Sequence, residues 1–176
     1  MKKKFLLIPS VLLFFILLIF FYLLIIDRDP NKIPSNLLNK NIPIFEAESL
    51  LKNEKFVSTE KFGNEIILVN FFATWCKPCL DEHEYIKRFS NEKGIRIIGI
   101  NYKDNTKKTK QWLNKLGNPY SDIPIDKNGR IAIEWGVYGI PETFVVNTKG
   151  VIKYRHIGPI TKKVYKKINL LIKEIK

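Results

Sequence analysis

Cysteine is almost absent: the 176 residues hold two, Cys76 and Cys79, with only Lys77 and Pro78 between them. Methionine occurs once, at Met1, and histidine twice, at His83 and His156. These shortages narrow what the two sulfurs can do. A structural disulfide stabilises mainly by closing a long loop in the unfolded chain, and a loop this short contributes little. A zinc site needs four ligands, so both histidines would have to join the cysteines, with only His83 in reach of Cys79 at i+4. Haem attachment needs CxxCH, and the residue after Cys79 is Leu80. A Cu(I)-binding module, which soft thiolates permit, would rest on two sulfurs without a nearby methionine, and it remains the alternative from a different class. No metal and no cofactor is expected.

Charge is missing as well, from Phe5 to Ile26. At about 1.5 Å per residue that run spans roughly the 30 Å of bilayer hydrocarbon, which predicts a transmembrane helix over 5–26. Lys2, Lys3 and Lys4 precede it while Asp27, Arg28 and Asp29 follow. The positive-inside tendency then leaves residues 1–4 in the cytoplasm and the remainder outside. A cleaved signal peptide is the competing reading, against which stand the length of the run and the lack of a small-x-small cleavage site. Residues 27–43 carry Pro30, Pro34 and Pro43 among polar residues and read as a tether, with the domain proper over 44–176.

The chain has 30 basic and 17 acidic residues, a formal charge of +13. The lysines are scattered over the polar faces of expected helices, as in "TKKVYKKINLLIKEIK", and form no stripe with interleaved aromatics. A solvated helix face is the simpler reading, no nucleic-acid partner is expected, and attraction to anionic headgroups is secondary. No repeat or low-complexity tract occurs.

From Ile44 onward strands alternate with helices. "EIILVNFFA" is a continuous apolar run of the kind a central strand needs when both faces are covered. "GIRIIGIN" is a second, "TKKTKQWLNKLG" a helix ending at Gly117, and "ETFVVN", "NTKG" and "VIKYRHI" a hairpin. Val164, Ile168, Leu171 and Ile175 form the apolar stripe of a last helix. The plan is α/β. In it the CxxC falls where the first strand passes into a helix, so Cys76 caps that helix. Unpaired N–H groups and the helix dipole favour its thiolate, with Lys77 acting in the same sense. Cys79 sits one turn inward, near enough to close a disulfide with Cys76 but shielded from outside partners. Access assigns the roles: Cys76 attacks a partner's disulfide, and Cys79 resolves the mixed disulfide.

"VNFFATWCKPC", followed far downstream by "GIPETFVV", resembles the thioredoxin fold, a central mixed sheet flanked by helices, with its active-site CxxC and cis-proline loop. "GINYKD", "LGNPY", "GVYGIPETF" and "YRHIGPI" carry a narrower likeness, over about residues 40–170. There the chain resembles the membrane-anchored thiol:disulfide interchange proteins of cytochrome c maturation, the CcmG or DsbE type. The resemblance implies a single-pass protein of the cell inner membrane whose catalytic domain is periplasmic. A membrane electron carrier of the DsbD or CcdA kind would keep it reduced, and electrons would pass to the CxxCH segment of apocytochrome c, directly or through a haem-lyase thiol partner.

The resemblance also implies site residues. Trp75, Cys76 and Cys79 form the redox motif, and Pro141 is a cis-proline. Ile140 offers its main chain to an extended substrate, and Gly139 leaves room. Asn70 stands where thioredoxins place a buried Asp, and an amide cannot take a proton. Glu82 and Glu142 are the candidate proton acceptors in its stead, although each could be an exposed carboxylate. His83, Tyr138 and His156 read as packing or surface groups. The Lys77-Pro78 pair departs from the Pro-Thr more usual in the family, so the redox poise is not transferable. A broader disulfide reductase of the TlpA or ResA kind, which usually shows Thr where Glu142 stands, is the alternative within redox chemistry.

Overall fold

The computed structural model describes residues 2–25, 37–51, 55–57, 65–92 and 95–175, with backbone only for 2–8, 24–25 and 55–57. The chain forms two units, Met1–Ile33 and Pro34–Lys176. The first contains α1 (Lys2–Ile25), a helix of 24 residues and roughly 36 Å. Of its side chains, those of residues 9–23 are described, about 22 Å of helix. Among the described residues no helix is long and apolar enough to cross a membrane. The span expected over 5–26 reaches beyond the described side chains at both ends.

The second unit runs β1 (Glu46–Glu48), β2 (Lys55–Val57), β3 (Ile66–Phe72), α2 (Lys77–Ser90), β4 (Ile95–Tyr102), α3 (Thr106–Leu116), β5 (Ile125–Asp126), α4 (Arg130–Glu134), β6 (Glu142–Val146), β7 (Ile152–Ile157) and α5 (Lys162–Ile175). Five strands make one sheet in the order β5-β4-β3-β6-β7. β3 to β5 are parallel, while β6 and β7 return antiparallel, so the sheet is mixed. This is the thioredoxin-like α/β architecture expected from the resemblance.

β3 is buried at all seven positions, because its uninterrupted apolar run is covered on both faces. Its alternate residues divide the core. Ile66, Leu68 and Phe72 face α2, α3 and α5, which contribute Ile86, Leu113 and Ile168 to one apolar cluster. Ile67, Val69 and Phe71 face a second cluster that holds Ile131 of α4 and Trp135. α2 buries Cys79, Glu82, His83, Ile86 and Phe89, the i, i+3, i+4, i+7 stripe of a helix lying on a sheet. Two ionisable residues occupy places in that stripe where a hydrocarbon would be routine.

The seven elements expected from the pattern, β3, α2, β4, α3, β6, β7 and α5, are present within a residue or two. The tether expected over 27–43 falls partly outside the described residues, and its described end belongs to the domain. Asn39 donates its N–H to Ile152 O (2.8 Å) and Ile42 to Gly150 O (2.9 Å), so residues 39–42 cover the edge of β7. β1, β2, β5 and α4 were not expected, since elements of two to five residues are too short to show a period. α4 is held at its N-terminus by Asp126, whose carboxylate accepts from Ile131 N (3.3 Å) and Ala132 N (3.0 Å).

Candidate active site

Because β3 and β6 are antiparallel, the end of β3 and the start of β6 fall at the same end of the sheet. The segment 73–79 and the loop leading to Pro141 therefore meet there, and so does the end of β4, parallel to β3. Cys76 is the N-cap of α2, in extended conformation, with Pro78 in the first turn. Its Sγ accepts from Cys79 N at 3.1 Å, so one of the helix's orphan donors already points at this sulfur. The two cysteines are joined by a disulfide. Both are buried, Cys76 at 5% exposure and Cys79 at 2%, so shielding alone separates them less than their spacing suggested. Lys77 is exposed and pairs with Asp81 one turn on. Solvent and the Asp81 carboxylate both screen its charge, so Lys77 favours a Cys76 thiolate less than the sequence suggested.

The segment before Cys76 is fixed from β4. Asp104 accepts from Thr74 N (2.6 Å) and Thr74 Oγ1 (2.9 Å). The indole of Trp75 donates to Lys103 O (3.2 Å), leaving the ring 59% exposed beside the disulfide loop. The acid of "GINYKD" thus clamps the motif, a role its position 28 residues after Cys76 did not reveal.

Behind Cys79 lies a buried polar chain. Glu82 is 1% exposed and accepts through Oε1 from Asn70 Nδ2 (2.8 Å) and through Oε2 from Ile160 N (2.8 Å). Asn70 also donates to Thr143 Oγ1 (3.1 Å) and accepts from Tyr120 OH (2.9 Å). Burial raises the Glu82 carboxyl from 4.5 to about 7, although its two hydrogen bonds oppose the rise. Burial, then the nearby Glu82 charge, pushes the Tyr120 phenol well above its ordinary value, so it serves as a neutral donor. Gly99, opposite Asn70 on β4, makes this possible: a Cβ there would stand 2.7 Å from the Tyr120 ring. The amide at the place of the thioredoxin Asp is therefore a bridge to an acid one turn past Cys79.

The Ile140–Pro141 bond is cis, as the resemblance implied. Glu142 follows on β6 opposite Phe71 and shares that residue's face of the sheet, away from Asn70 and Glu82. Its Oε1 accepts from Tyr138 N (2.8 Å) and Gly139 N (3.3 Å), and its Oε2 from Arg155 Nε (2.8 Å). The structure does not bring the two glutamates together. Strand parity turns Glu142 to the face opposite Glu82, where a cation and two N–H groups occupy its oxygens. His83 is buried, bonded through Nε2 to Gly117 O (2.9 Å) and set edge-on to Trp112. Burial lowers its pKa, and the Gly117 bond opposes this. His156 bonds through Nε2 to Pro159 O (3.2 Å), and Tyr138 is 69% exposed. Sequence reasoning missed Asp104, Tyr120 and Arg155. The one signal for them was membership in the quoted motifs "GINYKD", "LGNPY" and "YRHIGPI".

A disulfide at the head of the helix after the central strand, with a cis-proline at the same end of the sheet, defines a thioredoxin-like protein-disulfide oxidoreductase. The Redoxin family model matches residues 37–169. The thiol:disulfide interchange protein DsbE of Vibrio cholerae is 41% identical over 163 residues, 91% of this chain and 88% of that one. That of Tatumella citrea is 43% identical over 170 residues, 94% and 91% of the two chains. Among solved structures, a DsbF homologue from Corynebacterium diphtheriae superposes with a TM-score of 0.68 at 15% identity, covering 83% of this chain and 94% of that one, and shows the fold. The chain belongs to the DsbE-type thiol:disulfide interchange proteins within the Redoxin family. Its partners are thus thiol proteins that exchange disulfides with it.

Proposed function

We propose that this protein is a membrane-anchored, extracytoplasmic reductase that delivers electrons to the CxxCH disulfide of apocytochrome c, directly or through a haem-lyase thiol partner. Cys76, as thiolate, attacks one sulfur of the target disulfide and displaces the other. Glu82 takes the proton of Cys79, whose thiolate attacks Cys76 Sγ and releases the second target thiol. The target gains two electrons, one proton by way of Glu82 and one from solvent, where Cys76 lost its own, and Cys76–Cys79 is left oxidised. A membrane carrier of the DsbD or CcdA kind then restores the thiols. Ile140 and Pro141 present main chain to the target, and Trp75 stands beside the attacking sulfur.

The observation that carries the proton step is Glu82, held near neutral by burial in the stripe of α2 that contains Cys79. The anchor is supported by α1, whose side chains from Val11 to Leu23 are all apolar or aromatic and exposed on every side. The cytochrome pathway is supported by "GVYGIPETF" and "YRHIGPI".

Mixed-disulfide trapping tests the whole. With Cys79→Ala, the protein expressed in cells that make c-type cytochromes should retain apocytochrome c or a maturation thiol protein on Cys76. A broad mixture of exported proteins, with no cytochrome component enriched, would sink the dedicated role and leave a general reductase.

A further inference from the structure

Apart from Val137 and Ile140, which pack on the core, the loop that delivers the chain to Pro141 has little packing of its own. A Cβ on Gly136 or Gly139 would meet nothing within 4 Å, and Tyr138 between them is mostly exposed. The first half of the loop is tied to α4, through Gly136 N to Ile133 O (2.9 Å) and Val137 N to Ala132 O (2.8 Å). The backbone of the second half is tied through Glu142, which takes the N–H groups of Tyr138 and Gly139, and Ile140 packs on both core clusters. Glu142 is in turn held by Arg155, which stands opposite Phe144 on β7 and is almost fully buried. One guanidinium does three things. It pairs with Glu142 Oε2 at 2.7 Å through Nη2, donates from the same nitrogen to Gly136 O at 2.7 Å, and lies 5.1 Å from the centre of the Tyr138 ring.

A fork that bridges a carboxylate and a carbonyl while stacking on a ring is a geometry an ammonium cannot reproduce. We propose that Arg155 is a positioning residue for peptide capture. Through Glu142 it sets residues 138–139, so that Tyr138 forms a fixed wall beside the Ile140 main chain and an extended peptide disulfide docks without first ordering the loop. Arg155 touches neither sulfur nor substrate. It therefore governs how well a peptide binds and not how fast a bound disulfide exchanges. The inference rests on the peptide-disulfide reading above.

The test mixes the reduced full-length protein with increasing concentrations of an oxidised peptide containing a Cys-x-x-Cys-His segment, and separately with hydroxyethyl disulfide, which has no backbone to pair. Arg155→Lys keeps the charge and loses the fork. It should raise the half-saturating peptide concentration about tenfold, with the limiting rate and the midpoint potential of the Cys76–Cys79 couple unchanged. Tyr138→Ser, at an exposed position that leaves the fold intact, should raise the same concentration about threefold. A fall in limiting rate, a moved midpoint potential, or equal losses with peptide and hydroxyethyl disulfide would overturn the proposal, as would wild-type peptide saturation in both variants. Wild-type protein that shows no preference for the peptide over hydroxyethyl disulfide would overturn the peptide reading itself, and this inference with it.

Discussion

Among the described residues two glutamates are buried, one on each face of the same sheet, at 1% exposure for Glu82 and 0% for Glu142. Glu82 meets an amide and a backbone N–H, both neutral, and desolvation outweighs them. Glu142 meets a guanidinium and two N–H groups, a full complement for a carboxylate. Burial alone therefore does not say what a carboxyl is for; the charge of its neighbours does. A buried acid without a cation is poised to exchange protons, whereas one that shares a buried cation is a strut.

The largest effect should come from breaking the strut. Glu142→Ala leaves Arg155 buried without its partner and should cost about 3–5 kcal/mol in urea unfolding, most of it recovered when Arg155→Met is added. A loss no larger than that of a surface carboxylate would refute the strut. Next comes the pH dependence of stability. The folded Glu82 carboxyl titrates near 7 and the unfolded one near 4.5, so its stabilisation is fully present below 4.5 and is lost as pH rises to about 7. That slope amounts to about 3 kcal/mol, and Glu82→Gln should flatten it.

A kinetic effect of similar size is expected on the same residue. Glu82→Gln should slow resolution of a mixed disulfide by Cys79 about 100-fold at neutral pH and remove the inflection near 7 from the pH profile. Stopped-flow measurement of release from Cys76 reads this directly, and an unchanged profile would refute proton transfer through Glu82. The smallest effect belongs to the scaffold behind it. Tyr120→Phe removes the donor to Asn70 Oδ1 and should cost about 1–2 kcal/mol, with a detectable shift in the Glu82 titration followed by NMR.

The active-site strand and its helix were legible because their signals are local. An apolar run with a CxxC at its end needs no knowledge of the rest of the chain. Glu82 was legible in position, since i+3 from Cys79 keeps it on one face of a helix. Its burial was not, because Ile160, which covers it, lies 78 residues away. Glu142 was legible in position as well, but its partners were not. The resemblance placed it beside Pro141, but alternate residues of a strand point to opposite faces, and only the register with Phe71 reveals which.

By itself, then, the sequence determined the α/β plan, the capping of α2 by Cys76 and the pairing of Cys76 with Cys79, all consequences of period and spacing within about twenty residues. Tertiary structure decided which acid is left without a cation, which one becomes a strut, and that Gly99 must be bare so that Tyr120 can reach Asn70. Those outcomes depend on desolvation and on the charge of neighbours brought from distant parts of the chain, quantities that exist only once the faces of the sheet are closed.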